Sequence, residues 1–95
     1  MAKAKKFKMD ANYVVRSLAE TFTDMDGDEK ELKRILKEAN AAGVDFKKIA
    51  MTLKGEMEQD YGWEINDART MGRLLKPYGI KTFKVTFSVD EEMEF

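Results

Sequence analysis

The 95-residue sequence predicts a mainly α-helical domain with a small β element: four helices followed by one strand near the C-terminus. Three observations predict it. Four stretches place apolar residues at the i, i+3/i+4 spacing of one helix face. Gly, Pro or Asp residues punctuate those stretches where helices start and stop. Only one stretch, residues 80–89, alternates with the period of two that marks a half-buried strand. A chain of this length makes a single domain, and 43% hydrophobic residues, with six Phe, three Tyr and one Trp, suffice for its core.

The first helix is predicted over 11–22, capped by Asp10, with Val14, Val15, Leu18, Ala19 and Phe22 on its apolar face. Thr23-Asp24-Met25-Asp26-Gly27 breaks it. The second begins at Asp28, and Glu31 three residues on suggests a variant of the capping box. Leu32, Ile35, Leu36 and Ala39 face inward, and Gly43 supplies a left-handed stop. The third opens at Asp45 and carries Phe46, Ile49, Ala50, Leu53 and Met57 on one face. Two ends are open for it: about Glu58, or earlier at Gly55. The fourth starts at Asn66 or Asp67, holds Met71, Leu74 and Leu75, and stops before Pro77 and Gly79.

In the strand, Phe83, Val85, Phe87 and Val89 point one way and Thr82, Lys84, Thr86 and Ser88 the other. A lone strand leaves its backbone unsatisfied. Three partners are open: Lys6–Met9, the Gly62–Ile65 stretch, or the same strand of a second copy. The organisation that follows is a basic segment over 1–9, able to add a short strand, a globular domain over 10–89, and an acidic tail over 90–95. That tail is too short to predict a hairpin return.

Zero Cys and zero His exclude a thiolate nucleophile, a His general base, a Ser-His-Asp triad and a Cys/His zinc site. The expectation is a protein that is not an enzyme and needs no cofactor. Zero Cys, no apolar run of membrane-spanning length, and basic residues without a following apolar stretch at the N-terminus predict a cytoplasmic location. Asp24-Met25-Asp26-Gly27-Asp28 matches the opening of a calcium loop. It then places Glu29 where the turn glycine belongs and Ile35 where the bidentate carboxylate belongs, so no metal is predicted there.

Charge is balanced overall, with 17 basic and 18 acidic residues, but segregated along the chain. Residues 68–89 contain Arg69, Arg73, Lys76, Lys81 and Lys84 and no acid. Acidic clusters lie at 24–31 and 56–67. A second signal is the run Ala39-Asn40-Ala41-Ala42-Gly43-Val44-Asp45-Phe46-Lys47-Lys48-Ile49. Its small residue four before the turn Gly and apolar residue six after it fit a helix-turn-helix, which needs close helix packing around a tight turn. Lys47 and Lys48, with Lys54, then face phosphate or solvent.

The run Arg73-Leu74-Leu75-Lys76-Pro77-Tyr78-Gly79-Ile80-Lys81, with residues 46–58, Gly62-Trp63, 67–76 and 80–89, resembles the C-terminal part of a domain found in phage- and plasmid-type primase/helicase proteins. The resemblance covers about half the chain. It implies a winged-helix-like arrangement and a place near mobile-element DNA. The nucleotide-binding portion does not carry over, because no Gly-rich loop followed by Lys-Ser or Lys-Thr exists here.

These readings converge on a small DNA-binding module in which Arg69, Arg73, Lys76, Lys81 and Lys84 contact phosphates, with Lys47 and Lys48 secondary. The alternative is a protein-binding adaptor or inhibitor of phage type that engages a basic partner through its acidic surface. A homodimer through strand 81–89 is also open. Trp63 reads as a core plug between helices.

Overall fold

The computed structural model describes residues 9–24, 27–59, 63–88 and 91–95, with Phe87, Ser88, Glu91 and Glu92 described by their backbone alone. Asp10 opens α1, Ala11–Asp24: its Oδ1 accepts the Tyr13 N–H at 2.9 Å, which satisfies one of the donors a helix start leaves unpaired. Val14, Val15 and Leu18 are buried as the periodicity predicts. Thr21, on the same face, is buried too, because its hydroxyl donates to the Ser17 carbonyl at 3.0 Å. α1 runs two residues past the predicted end at Phe22.

α2 covers Glu29–Ala41, and Asp28 caps it by accepting the Lys30 N–H at 3.0 Å. The predicted reciprocal contact from Glu31 does not form. Its carboxylate turns outward to the Arg34 guanidinium, which also reaches Glu38 at 2.6 Å. The C-terminus of α2 closes as predicted. Gly43 takes φ 79°, its N–H bonds the Asn40 carbonyl at 3.1 Å, and the Val44 N–H bonds the Ala39 carbonyl at 3.0 Å. This paired arrangement satisfies two carbonyls that the helix end exposes.

α3, Phe46–Gln59, starts on Asp45, whose Oδ1 accepts the Lys47 N–H at 2.9 Å, and it continues through Gly55. Packing of Leu53 and Met57 on either side of that glycine outweighs its modest helix cost. α4, Ile65–Leu75, begins one turn-position earlier than Asn66. Asp67 Oδ2 accepts the Glu64 N–H at 3.0 Å, so the capping box belongs to this helix. Pro77 converts its end into a 3-10 turn, Lys76–Tyr78, and Gly79 at φ 95° stops it.

The β element corrects the sequence reading. β1, Lys84–Ser88, pairs antiparallel with β2, Glu91–Glu94, so residues 91–95 of the predicted acidic tail are not a solvated tail. Lys84 stands opposite Glu94 and Val85 opposite Met93, and Phe83 and Phe95 exchange both backbone bonds at 3.0 and 2.8 Å. Of the three predicted partners, Lys6–Lys8 and Gly62 lie outside the described residues, and Ile65 is helical. The register slips between Thr86 and Ser88, which interrupts the uniform alternation expected over 80–89.

One core joins these pieces. α1 packs along α2 and α3, and α3 in turn carries β1 and α4. Leu18, Leu32, Leu36, Ile49, Leu53, Met71, Leu75 and Val85 are fully buried at its centre. Trp63 is half-buried at its rim, edge-on to Phe22 with ring centroids 5.4 Å apart. Among the described residues no helix is long and apolar enough to cross a membrane.

Candidate nucleic-acid interface

Ala39 and Ile49, the two packing positions of the predicted helix-turn-helix, are both fully buried. After the turn between them, Lys47 and Lys48 in the first turn of α3 are exposed. Phe46 points inward and stacks on Tyr78 of the 3-10 turn, with centroids 4.3 Å apart and planes within 2°. That contact joins two segments distant in sequence, each of which carries basic residues next to the stacked ring. Lys47 and Lys48 follow Phe46; Lys76 precedes Tyr78 and Lys81 succeeds it. All four are exposed, and none makes an ion pair among the described residues.

The other three candidates stand differently. Arg69, Arg73 and Lys76 share one face at i, i+4 and i+7, as a helix dictates. Arg69 donates to the Asn66 side-chain oxygen at 3.0 Å. Arg73, expected at a phosphate, is engaged by a carboxylate in this structure. Its fork grips both oxygens of Glu29 at the start of α2, at 3.2 and 2.6 Å. The pairing raises the Arg73 pKa and lowers that of Glu29. Lys84 faces its cross-strand neighbour Glu94 at 4.0 Å, so its charge is partly answered as well. Lys54, expected toward phosphate or solvent, is paired with Glu58.

Sequence reasoning missed Lys33. One turn beyond Glu29 in α2, its charge helps to lower the pKa of the carboxylate that Arg73 grips. The signal was present in the i, i+4 spacing from Glu29, but nothing local revealed that α4 would meet that face.

An acidic counterpart lies between α1 and α2. A groove of about 350 Å³ is lined by Tyr13, Glu20, Asp24, Glu31, Ile35 and Glu38, with Arg34 as its cation. The hydrogen bonds to Arg34 hold Glu31 below the usual carboxylate range. In the loop tested for calcium, Asp26 lies outside the described residues and the Asp28 side chain is engaged as the α2 cap.

Compared with protein-family models, curated proteins and solved structures, the chain matches none.

Proposed function

We propose that this chain is a small, non-catalytic DNA-binding module of helix-turn-helix, winged-helix-like type, acting in the cytoplasm for a phage or mobile element. The observation that carries the reading is the Phe46–Tyr78 stack, which joins the two segments that hold Lys47, Lys48, Lys76 and Lys81, all exposed and in no ion pair among the described residues. Exposed ammonium groups that make no ion pair among the described residues suit the regularly spaced negative charge of a nucleic-acid backbone. A β1–β2 hairpin that follows the helices in the chain is in keeping with the element order of a winged-helix module. The resemblance to phage- and plasmid-type primase/helicase domains favours the same reading.

Fluorescence anisotropy of labelled duplex and single-stranded DNA, at low and at physiological salt, tests it. Binding should occur at micromolar protein and weaken with salt, with a log-log slope of roughly −3 to −4 for four phosphate contacts. Absence of binding at low salt would refute it. A second reading, an adaptor for a basic protein partner, is favoured by the groove between α1 and α2, where Glu20 and Asp24 carry charge that Arg34 does not meet. Under that reading, lysine-rich peptide binds where DNA fails.

A further inference from the structure

We propose that the junction of α2 and α4 is an additional phosphate subsite, built from Arg73 and Lys33 and closed in the free protein by the Glu29 carboxylate. The inference rests on the DNA reading and extends it from the lysine end along α4. A guanidinium fork binds a carboxylate and a phosphate through the same pair of parallel N–H···O bonds. Glu29 thus occupies Arg73 in the way a backbone phosphate would.

Position gives the contact its consequence. Arg73 lies on the same face as Lys76, one turn along, so a phosphate backbone lying on the lysine end meets Arg73 next. Lys33 follows Glu29 by four residues in α2 and so lies on the same helix face one turn along. Removing or displacing that carboxylate frees the Arg73 fork, with the Lys33 charge one helix turn from the vacated position. Exchange is feasible because the pair is a surface one: the side chains of Arg73 and Glu29 are 55% and 44% exposed. An incoming phosphate reaches the guanidinium from solvent without opening the core, and an exposed ion pair presents only a small barrier to replacement. Glu29 would thereby weaken DNA binding and favour ligands whose backbone follows α4.

The test is DNA anisotropy on Glu29→Ala, the double variant Glu29→Ala/Arg73→Ala, and Glu56→Ala as a control carboxylate exposed in the C-terminal half of α3. Circular dichroism confirms folding of each, and Glu29→Ser serves if the alanine variant does not fold. Glu29→Ala should tighten binding about tenfold at 50 mM salt and steepen the salt slope by about 1, the signature of one more phosphate contact. The double variant should lose that gain. If wild type binds DNA but Glu29→Ala matches it, or gains no more than Glu56→Ala, the subsite is overturned while the DNA reading stands. If neither wild type nor any variant binds, the DNA reading falls, and the subsite with it.

Discussion

The Glu58 carboxylate of α3 accepts the backbone N–H of Thr86 in β1 at 2.9 Å, 28 residues away, and is paired at the same time with Lys54. Phe83 and Phe95 exchange both their backbone bonds, so alternation along an antiparallel pair turns Thr86 away from β2. Glu58 therefore satisfies a donor on the free edge of β1 and ties the hairpin to the helix it packs on. The same contact takes up part of the edge through which two copies of strand 81–89 would pair.

Glu58→Ala should lower stability by about 1 kcal/mol in chemical denaturation, the usual worth of one partly solvated hydrogen bond, and Glu58→Gln should lose less. The Lys54 hydrogen bond first, and the Thr86 N–H second, lower the Glu58 pKa from its ordinary 4.5. In the unfolded chain the group takes up its proton at the higher, ordinary pKa. Its contribution is therefore full above about pH 4.5 and disappears as pH falls through the folded value. The gap between wild type and Glu58→Ala should narrow in that window when unfolding is followed against pH.

Gly72 allows α4 to approach the hairpin. A Cβ there would stand 2.6 Å from the Phe95 Cβ, closer than two carbons tolerate. Gly72→Ala should lower stability by about 1–3 kcal/mol, because the overlap exceeds the ~1 kcal/mol that alanine gains in a helix. Thermal melting measures it, and Phe95→Gly in the same chain should remove the additional penalty of the alanine.

Tyr78→Leu keeps apolar bulk over Phe46 but removes the stacked ring. A loss of about 1 kcal/mol is expected, or roughly 4–8 °C in Tm for a domain of this size. Under the DNA reading, affinity should fall as well, since the stack joins the segments that carry Lys47 and Lys76.

Lys47→Glu/Lys76→Glu should abolish DNA binding at physiological salt while leaving the melting temperature within a few degrees. Both side chains are exposed and make no ion pair among the described residues. Retained affinity in this variant would move the interface elsewhere.

Legibility in the sequence followed the range of the interaction. Asp10, Asp28 and Asp45 announce helix starts because a cap acts within three residues. Gly43 announces the α2 stop because a positive φ is a local requirement. Glu31 misled for a local reason: two acceptable partners lay within reach, and Arg34 outcompeted the backbone. β2 was missed because Glu91-Glu92-Met93-Glu94 carries no alternating apolar signal. What makes it a strand is β1, which offers it a ladder of donors and acceptors.

The candidate interface divides the same way. That residues 68–89 are basic and free of acids, and that an apolar stripe runs along each helix, is written in the sequence, since composition and periodicity need no folding to be read. Which cations remain available is decided only in three dimensions. Arg73 meets Glu29 across 44 residues, and Phe46 meets Tyr78 through the packing of α3 against the end of α4. Such pairings arise from how the helices pack on a shared core, and charge pattern alone does not encode which opposite charges that packing brings within reach.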